Sequence, residues 1–428
     1  MKAVISNRIY LEVTEEYKEI VSKELTYVVP PRNPGDPAEV IKNMVRVRPD
    51  IVTIPVGRTD LIPNNYEIVD RRVLVPVEFP EFKFPLRESQ QAVYDEINDN
   101  CIVNAWVSWG KTFTGLAIAG KLGQKTLVVV HNTSLRDQWA KEVKKVYGIE
   151  PGIIGSGKFN IEPPIVIGNI QSLYRCLDKI RKAFGTIIMD EMHHTSAATF
   201  SKVIDSNHAR YKIGLSGTIE RKDGRHVVFR DYFGSKVFQP PRENFMLPSI
   251  DIIRTNIRFM DGSSTPWARR INALANNEDY RHLIAMLAAA YAAKGHKVLV
   301  VSDRVYFLEY CAELVGEKAV CVTGAVKNRE ELTDMILSGK KEILFGTQAI
   351  FSEGISVNAL SCLILATPVN NEPLLTQLIG RVVREFPDKI SPIVVDIHLK
   401  GKTATTQASN RMGYYIKEGY KIREIVAG

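Results

Sequence analysis

The chain has 428 residues, 45% of them hydrophobic and 24% charged, which are the proportions of an ordinary globular protein. This length predicts two or three domains of about 150 residues. The net charge of +8 suits a polyanionic partner without requiring one. Five widely spaced cysteines show no zinc-binding spacing, and no apolar run reaches the roughly 18 residues of a membrane span. We therefore expect a cytoplasmic protein without membrane contact.

Residues 1–80 are predicted to form a small α+β accessory module, a candidate DNA-binding element. An amphipathic pattern predicts a helix over residues 11–25, and a proline-rich loop and short β-prone runs follow it. The arginines of this region form either a local basic patch or an ordinary solvated surface: Arg46, Arg48, Arg58, Arg71 and Arg72.

From about residue 81, continuous apolar strands alternate with amphipathic helices, a pattern typical of parallel sheets covered on both faces. The first series of predicted strands covers residues 126–131, 165–170, 186–189 and 212–216. Residues 221–265 lose this rhythm and are predicted to form hairpins and a connector. The alternation then resumes at strand 297–302. The sequence thus predicts two α/β domains in series, residues 81–240 and 241–428.

The loop at residues 105–112, Ala-Trp-Val-Ser-Trp-Gly-Lys-Thr, joins a predicted strand to a predicted helix. Such a loop cradles a nucleoside triphosphate, with Lys111 on the β- and γ-phosphates and the Thr112 hydroxyl on Mg²⁺. The match is imperfect, because the phosphate-loop pattern has glycine where this chain has Ala105, and Trp109 is bulky. The alternative is a surface loop that happens to contain Gly-Lys-Thr.

Two acids, Asp190 and Glu191, follow the predicted strand 186–189 and open the sequence Asp-Glu-Met-His-His. The carboxyl end of a buried strand is where open α/β sheets bind ligands. Asp190 is predicted to hold Mg²⁺ and Glu191 to polarise the attacking water. A metal site formed with His193 and His194 is the alternative. Together with Gly110, Lys111 and Thr112, the two acids indicate a nucleotide hydrolase that uses ATP and Mg²⁺.

The order of motifs resembles the superfamily 2 helicases and translocases of the DExH type, over about residues 84–400. Leu-Arg-Glu-Ser-Gln at residues 86–90 is similar to the adenine-reading motif, and Gln-Leu-Ile-Gly-Arg-Val-Val-Arg at residues 377–384 matches the last helicase motif. The resemblance implies two tandem RecA-like motor domains. It also implies that Arg381 and Arg384, three residues apart and predicted to share a helix face, act as arginine fingers beside Gln377.

The remaining motif residues take their roles from the same resemblance. Nucleotide contacts are expected from Arg87, Gln90, Ser108, Trp109, Gly110, Glu353 and Gly354, and coupling of hydrolysis to nucleic acid from His193, Ser216 and Thr218. Contacts with the DNA backbone are expected from Thr133, Ser134, Arg136, Gln171, Ser172 and Thr347. A second Gly-Lys-Thr, at residues 401–403, lacks the flanking pattern and is not expected to bind phosphate.

Within the superfamily, the chain resembles the XPB-like and UvsW-like branch, and among its members the branch-migration helicases of T5-like phages. We therefore expect an ATP-dependent DNA helicase that remodels forks and Holliday junctions, binds DNA without sequence preference and works as a monomer in the host cytoplasm. An RNA helicase is one alternative, since no residue clearly reads a 2′-hydroxyl. A nucleic-acid-binding module with a decayed nucleotide site is another. Removal of residues 1–80 is expected to spare basal ATP hydrolysis.

Overall fold

The computed structural model describes residues 1–29, 38–106, 109–191, 197–217, 228–243, 245–261, 265–323, 329–353 and 357–425, and only the backbone at residues 197, 198, 200, 329, 330, 352 and 353. The chain folds into two compact units, Met1–Arg242 and Glu243–Gly428. Within the described residues, none of the helices combines the length and the apolar character needed to cross a bilayer.

The first unit begins with a five-stranded sheet of strand order β5-β6-β2-β1-β7. Its strands are β1 (Lys2–Ile5), β2 (Arg8–Glu12), β5 (Val45–Arg48), β6 (Ile51–Pro55) and β7 (Glu67–Asp70), beside a ribbon of β3 (Thr26–Val29) and β4 (Glu39–Lys42). Helix α1 (Glu15–Glu24) starts after Thr14, whose hydroxyl accepts the amide of Tyr17. It begins later than predicted because Leu11 belongs to β2, where its side chain is fully buried.

A second sheet of the first unit has the order β11-β10-β12-β9-β13-β14-β8-β15 and is parallel except at β11. Its strands are β8 (Cys101–Asn104), β9 (Thr126–Val130), β10 (Gly152–Gly155), β11 (Lys158–Phe159), β12 (Ile165–Asn169), β13 (Thr186–Asp190), β14 (Tyr211–Ser216) and β15 (Val237–Phe238). The helices are α2 (Glu88–Glu96), α3 (Lys111–Leu122), α4 (Thr133–Tyr147), α5 (Ile170–Tyr174), α6 (Leu177–Ile180), α7 (Ala197–Ser206) and α8 (Phe229–Phe233).

The β3–β4 ribbon and the loops around the amino-terminal sheet contact helix α8 of the same unit. Asp231, which is fully buried, accepts hydrogen bonds from Asn43 Nδ2 at 2.7 Å and from the Tyr27 hydroxyl at 2.8 Å. The amide of Gly57 donates to the Asp231 carbonyl, and a Cβ at Gly57 would lie 2.5 Å from the backbone nitrogen of Gly234. The first 80 residues therefore meet the rest of the unit at backbone contact distance.

The second unit is a parallel sheet of order β18-β19-β17-β20-β21-β16-β22. Its strands are β16 (Ser249–Arg258), β17 (Val298–Ser302), β18 (Ala319–Val322), β19 (Ile343–Thr347), β20 (Cys362–Leu365), β21 (Ile393–Lys400) and β22 (Lys421–Ile425). The helices are α9 (Trp267–Ala275), α10 (Glu278–Ala293), α11 (Val305–Val315), α12 (Arg329–Leu337), α13 (Gln348–Glu353), α14 (Glu372–Val382) and α15 (Lys402–Lys417). Strand β16 lies where hairpins were predicted.

The predicted fold class is confirmed, with two RecA-like parallel sheets in series behind a small amino-terminal α+β region. Apolar side chains fill both faces of each large sheet, as buried parallel strands require. In the second unit the buried carboxylate of Asp396 accepts two hydrogen bonds from Arg411, at 2.7 and 2.8 Å, and one from the Tyr415 hydroxyl at 3.0 Å. This network ties β21 to α15.

Candidate active site

The loop after β8 ends at Gly110, which caps α3 with a left-handed φ of 90°. A Cβ at this position would lie 2.8 Å from Nε2 of Gln90, so both the backbone conformation and the close approach of Gln90 require glycine. The first amides of a helix lack intrahelical acceptors and favour an anion. Gly110 and the start of α3 therefore form a cradle with the shape and polarity that phosphate needs.

Lys111 is the first residue of α3, and its side chain is largely buried. Its ammonium nitrogen lies 3.1 Å from the carbonyl oxygen of Ala105 and 3.6 Å from Oε1 of Glu191. The lysine therefore bridges the phosphate loop and the acid that follows β13. These two contacts partner the buried positive charge in this structure, and the predicted contact of Lys111 with phosphate stays a prediction.

The two irregular residues of the phosphate loop point into the core. Ala105 is buried, and its amide donates to the carbonyl of Ser216 at 2.9 Å. Trp109 is fully buried, and its indole Nε1–H donates to Oγ of Ser89 at 2.8 Å. The side chains of Ala105 and Trp109 therefore belong to the hydrophobic core of the first unit.

The adenine-reading motif contacts the phosphate loop directly. Gln90 Nε2 donates to the carbonyl of Trp109 at 2.8 Å, and Nη2 of Arg87 donates to the same oxygen. The backbone amide of Arg87 in turn donates to Oε1 of Gln90 at 3.0 Å. In this arrangement Arg87 and Gln90 clamp the loop, and their predicted contact with adenine stays a prediction.

Asp190 ends β13, a strand whose five residues are all buried. Its Oδ2 accepts a hydrogen bond of 2.7 Å from the indole Nε1–H of Trp139. Burial, together with the neighbouring charge of Glu191, raises the pKa of Asp190 to about 6. Glu191 itself has a φ of 47°, a conformation that costs a non-glycine residue about 1–3 kcal/mol and is found mostly at functional sites.

The donor set fits a magnesium ion. The hydroxyl of Thr112, on the first turn of α3, and the carboxylate of Asp190 are the hard oxygen ligands that Mg²⁺ prefers. Among the described residues, no group of three His, Cys, Asp or Glu side chains could form an all-protein cage. Mg²⁺ usually needs none, since phosphate oxygens and water complete its coordination.

The predicted DNA-contacting residues of the first unit lie at one edge of the sheet. Thr133 and Ser134 open α4 directly after β9, while Gln171 and Ser172 lie in α5 directly after β12. Strands β9 and β12 are parallel neighbours, so both helices start at the same edge. Gln171 Nε2 also approaches the carbonyl of His131, at 3.5 Å.

Arg136 differs from this group because its side chain turns inward. It is 8% exposed, and Nη1 donates to Ser156 Oγ at 2.9 Å and to Asn169 Oδ1 at 3.2 Å. Its guanidinium therefore holds the start of α4 to β12 and to the loop after β10. Arg136 thus stabilises the sheet edge through internal hydrogen bonds, and its predicted contact with DNA stays a prediction.

In the second unit, the last helicase motif departs from the predicted geometry. Gln377 and Arg381 lie on α14, which ends at Val382, and Arg384 lies beyond it in a bridge with Phe245. The expectation that Arg381 and Arg384 share a helix face is therefore wrong. The helix stops because the Val383 carbonyl accepts the amide of Met246, while Arg384 Nη1 donates to Asn358 Oδ1 at 3.0 Å.

The second Gly-Lys-Thr opens helix α15, and its amides are already occupied. The backbone amides of Lys402 and Thr403 donate to the Asp261 carboxylate at 3.0 and 2.9 Å. An internal anion thus takes the position that a phosphate would need.

Two family profiles match the chain. The type III restriction enzyme res subunit matches residues 83–221, and the helicase conserved C-terminal domain matches residues 278–385. The probable helicase D10 of Escherichia phage T5 is 45% identical over 430 residues, which cover 98% of this chain and 95% of that protein. The chain belongs to the superfamily 2 helicases.

Two more distant relatives extend this comparison. The ATP-dependent DNA helicase uvsW of Enterobacteria phage T4 is 25% identical, covering 76% of this helicase and 71% of its own length. The putative ATP-dependent RNA helicase L396 of Acanthamoeba polyphaga mimivirus is 28% identical, covering 82% and 71%. The resemblance to UvsW-like proteins drawn from the motifs is confirmed, and the helicase is an ATP-driven enzyme that acts on nucleic acid.

Several predicted residues of the helicase lie outside the described part of the chain. They are Ser108, His193, Thr218, Gly354 and the side chain of Glu353. Ser216 ends β14, next to Ala105, and Thr347 ends β19 in the second unit.

Sequence reasoning missed two residues of the helicase site, Ser89 and Trp139. Ser89 sits beside Gln90, and nothing in its spacing distinguishes it from an ordinary helix serine. Trp139 follows Leu135 by four residues on the apolar face of α4, a pattern that predicts only a core side chain.

Proposed function

We propose that this helicase is an ATP-dependent DNA helicase and translocase that remodels branched DNA, such as forks and Holliday junctions, in recombination, repair or replication. The observation that carries the ATPase part is the position of Lys111 between the Ala105 carbonyl and Glu191, directly beside Asp190. The DNA part draws support from the relatives named as helicases of phage. We place the protein in the host cytoplasm as a monomer.

In this proposal, the residues of the first unit change partners when ATP binds. Lys111 leaves Glu191 for the β- and γ-phosphates, which the amides of α3 also receive. Glu191 is then able to orient the attacking water and accept its proton. Thr112 and Asp190 would hold Mg²⁺, which would neutralise charge on the phosphate oxygens. Arg381 and Arg384, with Gln377, remain the proposed arginine-finger group of the second unit.

We further propose that DNA runs along the sheet edge that carries Thr133, Ser134, Gln171 and Ser172, with Thr347 contributing from the second unit. Hydroxyl and amide groups at such edges contact phosphate oxygens and do not read bases. Binding should therefore be independent of sequence. The net charge of +8 should also make it weaken as salt rises, because cationic side chains release counterions from the DNA phosphates. Affinity for a fork that stays flat between low and moderate salt would contradict this proposal.

The decisive experiment compares ATP hydrolysis and unwinding on a forked duplex, a four-way junction, a tailed duplex, single-stranded DNA and single-stranded RNA. The wild type is measured beside Lys111→Ala and a control, Lys145→Ala, whose exposed side chain pairs with Glu142 at 3.3 Å on α4. We expect branched DNA to stimulate hydrolysis most and Lys111→Ala to abolish it. Hydrolysis that survives in Lys111→Ala would refute the proposed site.

An RNA helicase is the second candidate, because one relative carries that name. The same panel separates the two, since stimulation by RNA and not by DNA would favour it. Absence of hydrolysis with every polymer would favour a binding module without catalytic function. The buried Lys111–Glu191 contact argues against that third possibility.

A further inference from the structure

Trp139 connects three elements of the first unit at the level of the proposed metal site. Its side chain is fully buried, and its indole Nε1–H donates to Oδ2 of Asp190 at 2.7 Å. A Cβ at Gly115, one turn into α3, would meet the Trp139 ring and the Leu215 side chain, each at 3.1 Å. The indole therefore fills the space between α3, α4 and the strand pair β13–β14.

The hydrogen bond fixes one oxygen of a carboxylate that has two. An indole N–H can only donate a hydrogen bond, so it cannot accept one from a protonated carboxylic acid. It therefore favours the form of Asp190 in which Oδ2 carries no proton. With Oδ2 engaged, the rotation of the carboxylate about its terminal bond is restricted. Its other oxygen, Oδ1, is then aimed by the protein rather than by solvent.

Trp139 also lies on the helix that opens at the proposed DNA edge. Helix α4 begins at Thr133 and is capped by Asn132, whose Oδ1 accepts the amide of Leu135 at 2.8 Å. Trp139 follows Thr133 by six residues, about 9 Å along the helix axis. Because backbone hydrogen bonds couple successive turns of this 15-residue helix, we expect a shift at its first turn to displace the indole as well.

We propose that Trp139 is a positioning residue, which sets the orientation of the Asp190 carboxylate and makes it depend on the placement of α4. This inference rests on the proposed function, since it takes Asp190 as the metal-binding acid and the start of α4 as a nucleic-acid contact. Nucleic acid bound at Thr133 and Ser134 then acts on Mg²⁺ binding through one hydrogen bond.

The first test uses the nucleotide-free protein. The four tryptophans, Trp106, Trp109, Trp139 and Trp267, give four indole ¹⁵N–¹H signals, which single Trp→Phe variants assign. We expect the Trp139 indole proton to exchange slowly with solvent and its signal to move in Asp190→Asn, while the signal of the half-exposed Trp267 stays in place. A Trp139 signal that is unchanged in Asp190→Asn would overturn the inference, whether or not the protein hydrolyses ATP.

The second test uses Trp139→Phe, which keeps an aromatic ring but has no donor, and Trp267→Phe as the matched control. We expect the Mg²⁺ concentration for half-maximal hydrolysis to rise about tenfold in Trp139→Phe, a change of about 1.4 kcal/mol, because the Asp190 carboxylate is no longer held in one orientation. Stimulation by nucleic acid should fall as well. Values equal to those of Trp267→Phe would overturn the inference.

The two tests separate this inference from the proposed function. If Lys111→Ala abolishes hydrolysis while Trp139→Phe behaves as the control, only the positioning role is lost. If the wild type shows no hydrolysis at all, the proposed function is lost, and the indole signals still decide whether Trp139 and Asp190 are coupled. A poorly folded Trp139→Phe leaves the Asp190→Asn measurement on the native tryptophan as the deciding one.

Discussion

The indole nitrogen of Trp109 lies 2.8 Å from the hydroxyl oxygen of Ser89, and both residues are buried. This bond anchors the loop before α3 to helix α2, which carries Gln90. It thereby explains a tryptophan that would otherwise be too bulky for its loop, since the ring belongs to the core and only its backbone belongs to the site.

Ser89→Ala should therefore loosen the phosphate loop. The variant leaves a buried indole N–H without its acceptor, which costs about 1–3 kcal/mol of stability. We expect a lower unfolding temperature and a several-fold higher KM for ATP. Ser409→Ala, at an exposed position on α15, is the control in both measurements. A variant whose KM and unfolding temperature match that control would show that the bond does not support the loop.

Asp190→Asn should stabilise the nucleotide-free protein at neutral pH. Because the pKa of Asp190 is raised to about 6 in the folded state, folding loses stability as pH rises from the unfolded pKa of about 4 to about 6. Above pH 6 the full penalty applies, up to about 3 kcal/mol, and the amide removes it. Urea unfolding in the presence of EDTA should show a gain at pH 8 that shrinks toward pH 4. An equal effect at both pH values would rule out ionisation as the cause.

Asp396→Asn, in contrast to Asp190→Asn, should destabilise the protein at neutral pH. Burial opposes ionisation of this carboxyl, but Arg411 outweighs burial and holds its pKa well below the usual range. The stabilisation is thus present above the unfolded pKa of about 4 and is lost as pH falls toward the folded value. Leaving Arg411 buried without its partner costs about 3–5 kcal/mol.

Urea unfolding near pH 7 measures this loss, and the difference from the wild type should shrink below pH 4. The matched control is Glu424→Gln, which removes the exposed partner of Arg254 and should change stability little. If the two variants unfold alike, the buried network does not carry the stability assigned to it.

Gly57→Ala should detach the amino-terminal sheet from the rest of the first unit. The new methyl group would meet the backbone of Arg230, Asp231 and Gly234 at 2.5–2.7 Å, and backbone cannot yield as a flexible side chain does. We expect the free energy of unfolding, measured with urea, to fall by about 1–3 kcal/mol. Gly413→Ala is the control, since it lies in the open on α15 and should stabilise the protein slightly.

The hydrogen bonds of Tyr27 and Asn43 to Asp231 change the effect that we expect when residues 1–80 are removed. Truncation would leave the buried Asp231 without Tyr27 and Asn43, so we now expect the truncated protein to lose stability and activity together. A soluble truncated protein with wild-type hydrolysis would show that the first unit does not need this sheet.

The sequence predicted the buried strands of both sheets well. Strands β13 and β9 contain the uninterrupted apolar runs Ile-Ile-Met and Leu-Val-Val-Val, a pattern typical of strands that are covered on both faces. Ser249–Arg258 escaped detection because its second half alternates between exposed and half-buried positions, which is also the pattern of a hairpin.

The site could be predicted only as far as local motifs reach. Gly110, Lys111 and Asp190 are recognisable because phosphate and metal chemistry demand those residue types at strand ends. The bonds from Ser89 to Trp109 and from Trp139 to Asp190 join residues 20 and 51 positions apart, and no spacing rule predicts them. The prediction that Arg384 lies on the same helix as Arg381 was wrong for a similar reason, because Arg384 forms a bridge with Phe245, which is distant in sequence.

The contact between Lys111 and Glu191 bears on product release as well as on hydrolysis. Release of phosphate and nucleotide from a buried lysine would normally be unfavourable, because it leaves the positive charge of the lysine without a partner. In the proposed mechanism, the Glu191 carboxylate, 3.6 Å from the Lys111 ammonium group in this structure, would receive that group again as the product departs, so the lysine would keep a counter-charge. If nucleotide binds as proposed, this returning counter-charge favours exchange of nucleotide over many cycles above tight retention of a single one.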